Sequence, residues 1–97
     1  MRDVIYRPGA NRDISAIADY TIREHGADQA RNYLWEMRQS IETLREFPSI
    51  GPGIEGLPDR YRKLIVSQHR VIYHFTKNEV IIVRVIHERQ DVPDDLL

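Results

Sequence analysis

Two apolar segments near the C-terminus, joined by a short polar stretch, restrict this chain more than any other feature. His69-Arg70-Val71-Ile72-Tyr73-His74-Phe75 runs into Thr76-Lys77-Asn78-Glu79. Val80-Ile81-Ile82-Val83-Arg84-Val85-Ile86 follows and ends in His87-Glu88-Arg89-Gln90-Asp91. Runs of β-branched and aromatic residues on either side of a polar turn predict a β-hairpin. Both runs contain an arginine, and a charge inside a strand must reach water or a partner. Successive strand side chains alternate between faces. Arg70 then shares a face with Ile72 and His74, opposite Val71, Tyr73 and Phe75. Arg84 shares one with Ile82 and Ile86, opposite Ile81, Val83, Val85 and His87. The arginine-bearing sides are predicted to turn away from the core, which places Arg70 and Arg84 on an open sheet face.

Upstream of the hairpin, residues 3–7 read as a first strand, stopped by Pro8-Gly9. Residues 11–25 read as a helix, with Ile14, Ile17, Ala18, Thr21 and Ile22 on one buried stripe, Asn11 as N-cap and Gly26 as a left-handed C-terminal cap. A second helix is predicted over 28–47. Its stripe is Ala30, Leu34, Met37, Ile41 and Leu44, and Pro48 ends it. So short a connection makes the two helices antiparallel neighbours. Residues 49–59, rich in glycine and proline, form a loop. Strands follow over 61–67, 69–76 and 79–87, and the acidic tail 88–97 is expected to be a flexible end. The order β-α-α-β-β-β implies an α+β fold: an antiparallel helical hairpin packed on one face of a small, mainly antiparallel sheet, in a single domain over 1–97. The other sheet face is expected to stay bare and concave, because no further element remains to cover it.

Charge excludes several classes of function. Fourteen basic and fifteen acidic residues give a net charge of −1. That is no footprint for direct nucleic-acid binding. Of the basic residues only Lys63 and Lys77 are lysine. The arginine bias suits bidentate pairing to carboxylate or phosphate, and a genome that prefers arginine codons explains it equally well. With no cysteine there is no disulfide or thiolate chemistry. Val80 to Val83 is the longest apolar run, too short to span a bilayer, and the N-terminus has no signal-peptide pattern. A cytoplasmic location is expected. His25, His69, His74 and His87 show no metal-ligand spacing, so neither a metal nor a cofactor is expected.

The element order, together with Ala10-Asn11-Arg12-Asp13-Ile14, Tyr20, Gly26 to Ala30, Leu44 to Gly51, Arg62, His69 to Tyr73 and Val85 to Asp91, resembles the ParE/RelE superfamily of bacterial type II toxins. The resemblance covers nearly the whole chain. The phrase Pro48-Ser49-Ile50-Gly51 and the ending His87-Glu88-Arg89-Gln90-Asp91 are similar to the ParE branch. That resemblance implies a growth-arresting, plasmid-stabilising toxin, neutralised by a ParD-like antitoxin in a hetero-oligomeric complex and inhibiting DNA gyrase by binding, not by catalysis. Resemblance to the RelE branch would instead imply a ribosome-dependent mRNA endonuclease. Against this, Gly56-Leu57-Pro58-Asp59-Arg60 lacks the lysines of that branch, and no tyrosine follows the last strand.

The target-binding candidates are therefore Arg62, Arg70, Arg84, His87 and Arg89. Were the chain a nuclease, Arg70, His87 and Arg89 would supply the base, acid and cation that cleavage at a 2′-hydroxyl needs. The antitoxin-binding candidates are Tyr20, Arg31, Trp35 and Arg38. Among them Trp35 is set off the buried stripe by polar neighbours at Arg31, Arg38, Gln39 and Glu42, as an interface aromatic would be.

Overall fold

The computed structural model describes residues 1–96, apart from the Asp95 side chain. Its elements are β1 (Asp3–Tyr6), α1 (Pro8–His25), α2 (Ala27–Glu42), a 3-10 turn at Thr43–Arg45, β2 (Arg62–Val66), β3 (His69–Phe75), β4 (Glu79–His87) and a second 3-10 turn at Asp94–Leu96. The expected α+β order is present. The sheet order is β1-β4-β3-β2, with β2, β3 and β4 antiparallel and β1 returning parallel to β4. No helix among the described residues is long and apolar enough to cross a membrane.

The helix ends depart from the sequence reading. Pro8 opens α1 instead of merely stopping β1, because a fixed φ and a missing N–H suit the first helical turn. Asn11 lies inside the helix, where its N–H donates to Arg7 O at 3.0 Å. Gly26 does have the positive φ expected of it (91°), but its ψ of 165° is extended, and one residue both ends α1 and begins α2. The second helix stops at Glu42, not Phe47. Its chain tightens into the 3-10 turn before Pro48, which disfavours helical backbone at the residue ahead of it.

One core cluster lies between the helices and the sheet. Ala10, Met37, Ile41 and Leu44 pack there on Val66, Val71, Tyr73, Val80, Ile82 and Val85, with Ile14 and Ile17 at its margin. Two stripe residues depart from expectation. Ile22 is 48% exposed, since the buried line of α1 runs through Ala10 and Thr21, and Leu34 is only half-buried. Tyr73 ties the core to the loop after α2: its hydroxyl donates to Pro48 O (2.7 Å) and accepts from Gly51 N (3.0 Å). A Cβ at position 51 would lie 2.6 Å from that hydroxyl, so the close approach requires glycine.

The second sheet face is not bare. Tyr61, Ile72, Val83, Ile86 and Leu96 form a second cluster, joined by Ile54, Leu57, Ile81 and Val92. The loop before β2 and the C-terminal segment supply the cover, because that face is too apolar to leave in water. The segment expected as a flexible end is accordingly anchored through residue 96. Leu96 is 4% exposed, and its carbonyl accepts from the Tyr61 hydroxyl at 3.2 Å. Leu97 lies outside the described residues.

A register shift in β4 changes the predicted faces. Ile72 pairs with Arg84 but Tyr73 with Ile82, leaving Val83 as the extra residue of a bulge. Ile82 and Val85 consequently face the helices, while Val83 and Ile86 face the other side. The expected grouping of Ile82, Arg84 and Ile86 on one side fails for this reason.

Candidate functional site

A cleft of about 720 Å³ opens where the helical hairpin meets the ends of β3 and β4, and its walls include Asp13, Tyr20, His25, Tyr33, Glu36, His69 and His87. Tyr33 sits one turn before the buried Met37, so α2 aims its ring at the sheet end. The Tyr33 hydroxyl donates to Val66 O at 3.0 Å and lies 2.6 Å from His69 Nδ1. A phenol has one proton to give, so the second contact is satisfied when His69 Nδ1–H donates to the phenol oxygen. That tautomer leaves Nε2 of His69 as an acceptor. His87 lies directly across from His69 in the ladder, its ring perpendicular with centroids 5.5 Å apart. Its Nδ1 accepts from Arg89 N at 3.1 Å, so a neutral His87 carries its proton on Nε2. Burial pulls the His69 pKa below its ordinary 6.5, and His87 adds to this against a smaller opposing effect of Glu88. Burial likewise raises the Tyr33 phenol. A pair of imidazoles, with Nε2 of His69 presented as an acceptor, is the chemistry the cleft holds.

The predicted arginines do not converge on it. Arg84 is absent from the open face. It makes a bidentate ion pair with Asp13 of α1, Nε to Oδ2 at 2.7 Å and Nη2 to Oδ1 at 3.0 Å, with side chains only 22% and 16% exposed. The same carboxylate accepts from Val85 N at 2.8 Å. Arg62 belongs to the opposite end of β2, where it donates to Ser49 O (3.2 Å) and Gly51 O (2.8 Å). Arg70 does lie on the face away from the helices, as expected, where its guanidinium donates to Gln90 O and its Nε is enclosed. Arg89 is exposed beyond β4. Of the five target-binding candidates, only His87 lines the cleft.

The antitoxin-binding candidates fall in two places. Tyr20 is an exposed wall of the cleft. Arg31, Trp35 and Arg38 follow helical spacing along the outer side of α2. Trp35 is 65% exposed, and Arg31 pairs with Asp28 at 3.0 Å in full contact with water. Arg38 borders a narrow slot between α1 and α2.

Comparison with known proteins agrees with this architecture. Residues 4–92 match the family described as ParE toxin of type II toxin-antitoxin system, parDE. The chain is 36% identical over 90 residues to Toxin ParE1 of Mycobacterium tuberculosis, covering 92% of each protein. It is 32% identical over 79 residues to Toxin ParE1 of Caulobacter vibrioides, covering 81% of each. The chain belongs to the ParE toxin family. Among solved structures, the chromosomal ParDE system of P. aeruginosa superposes with a TM-score of 0.77 at 18% identity, over 90% of this chain and 96% of that one. The E. coli DinJ–YafQ toxin–antitoxin complex superposes at 0.60 and 18% identity, over 89% and 91%. At such identities both show a shared fold.

Within this ParE-family fold, sequence reasoning missed Asp13, Tyr33 and His69 as site residues. Tyr33 carried a usable signal, three residues after Ala30 and four before Met37, on the stripe of α2. Asp13 carried none, because its partner is 71 residues away. Among the described residues no group of three or more His, Cys, Asp or Glu could hold a metal ion.

Proposed function

We propose that this ParE-family toxin acts by binding DNA gyrase rather than by cleaving RNA, and that a ParD-like antitoxin neutralises it by docking along the helical hairpin. The observation that carries the reading is the engagement of the arginines. Arg84 is held by Asp13, Arg62 by the carbonyls of Ser49 and Gly51, and Arg70 by Gln90. A ribonuclease needs cations converging on the developing phosphorane charge beside its acid and base. Of the four candidate arginines only Arg89, whose backbone N–H bonds Nδ1 of His87, is not held in this way. The structural likeness to the P. aeruginosa ParDE toxin–antitoxin system and the E. coli DinJ–YafQ complex supports an antitoxin as partner.

One observation favours the alternative, an mRNA endonuclease: the His69–His87 pair has the donor–acceptor complementarity of an acid and a base. A supercoiling assay with purified toxin and gyrase separates the two. Inhibition relieved by antitoxin supports gyrase binding. Undisturbed supercoiling, with transcript cleavage on ribosomes that Arg70→Ala, His87→Gln or Arg89→Ala abolishes, establishes the nuclease.

A further inference from the structure

The slot between α1 and α2 has an unusual origin. Leu34 holds a core-stripe position, four residues after the buried Ala30 and three before the buried Met37, yet its own chain leaves it half-covered. Ile14 of α1 and Tyr6 of β1 are half-covered beside it, and Met37 and Ile41, both buried, lie beneath. The half-open space is about 170 Å³, with Asn11 and Arg38 the polar residues in its lining. A cavity of roughly 150 Å³ lined by aliphatic side chains accepts one benzene ring, so the slot matches one aromatic or branched apolar side chain.

Its border carries one uncompensated charge. Arg38 follows Leu34 by four residues and Trp35 by three, so it neighbours both on the surface of α2. Glu42, one turn further on, would be the natural partner of Arg38, but it pairs with Arg45, whose Nε lies 3.0 Å from both carboxylate oxygens. Arg31 is matched by Asp28. Arg38 makes no ion pair among the described residues. An apolar hole, a neighbouring cation and an adjoining exposed indole together specify a ligand that is apolar and acidic within one helical turn.

We propose that this slot anchors a single aromatic or branched side chain of the antitoxin, carried on an acidic amphipathic segment whose carboxylate pairs with Arg38 while its apolar side lies over Trp35. The inference rests on the antitoxin reading above and specifies where and how the partner seats. Burying one side chain in a prepared hole and pairing one desolvated charge is how a small contact becomes an energetic centre of an interface.

The test compares binding of the cognate antitoxin to the wild-type toxin, to Arg38→Glu, to Leu34→Trp, whose larger ring fills the slot, and to Lys77→Glu as a charge control in the β3–β4 turn. Arg38→Glu and Leu34→Trp should each weaken binding by about tenfold or more, the loss expected of an interface centre, and Lys77→Glu by less than about twofold. Arg38 is exposed, so its variant reports even where Leu34→Trp fails to fold. A second arm needs no antitoxin: 3-phenylpropionate, an aromatic ring with a carboxylate, is titrated against methyl-labelled protein. Shifts at Ile14, Leu34 and Ile41 that Arg38→Glu abolishes are expected. Antitoxin that binds the wild type and both slot variants within about threefold overturns the anchor. If no antitoxin binds the wild type, the neutralisation reading falls. Phenylpropionate shifts would then still support the slot as a binding site, and their absence would overturn it.

Discussion

Asp13→Ala should destabilise the fold by about 3 kcal/mol. Asp13 receives two bonds from the Arg84 guanidinium and one from Val85 N, all between 2.7 and 3.0 Å. Both side chains are more than three-quarters covered, so solvent does not screen the pair as it would at the surface. Truncation takes the carboxylate from a largely desolvated cation and the acceptor from a ladder N–H. Removing one partner of a buried pair costs about 3–5 kcal/mol, and the remaining water access argues for the lower end. For a chain of this length the melting temperature should fall by roughly 12–24 °C, at about 4–8 °C per kcal/mol. Asp13→Asn, which keeps an acceptor for Val85 N, should lose less. The double variant Asp13→Leu with Arg84→Met should recover much of the loss, because apolar replacement of a buried pair is often close to neutral. Denaturant unfolding of these proteins, with Asp13→Leu and Arg84→Met as the single variants that close the double-mutant cycle, measures the coupling. A loss below about 1 kcal/mol for Asp13→Ala would place the pair among surface salt bridges and refute the assignment of Arg84 to the fold.

Tyr73→Phe should cost about 1–3 kcal/mol, since it strips a buried hydroxyl from Pro48 O and Gly51 N; urea unfolding reads it, and a neutral result would mean that the loop does not depend on this bridge. Burial lowers the His69 and His74 pKa values below 6.5. The unfolded chain therefore binds protons first: the stability from these groups is complete above pH 6.5 and is lost as pH falls through their folded values. A thermal-melt pH series should show this loss, made shallower by His69→Gln; an unchanged acid limb in that variant would exclude His69 as a contributor. Trp35→Ala should weaken antitoxin binding by about 2 kcal/mol or more while leaving the melting temperature nearly unchanged; lost stability with intact affinity would assign Trp35 to packing.

Much of the architecture is local in origin and was legible as sequence. The buried positions Ala30, Met37 and Ile41 of α2 follow the helical period, and β3 alternates from Arg70 to Phe75 as its side chains do in the sheet. Both depend on neighbours a few residues apart, so the order β-α-α-β-β-β and the position of Trp35 could be read without coordinates. The element order and the motifs, Pro48 to Gly51 and His87 to Asp91 among them, carried the family resemblance. Three decisions belong to the tertiary structure alone. The bulge at Val83 is set by how β4 pairs with β3, and Arg84 meets Asp13 of α1 instead of the expected open face. The second sheet face is covered because the loop before β2 and the C-terminal segment meet on it, joining Tyr61 to Leu96. His69 and His87 become a pair only through strand register. Each is a contact between residues distant in the chain, and no local propensity encodes which distant residue will arrive.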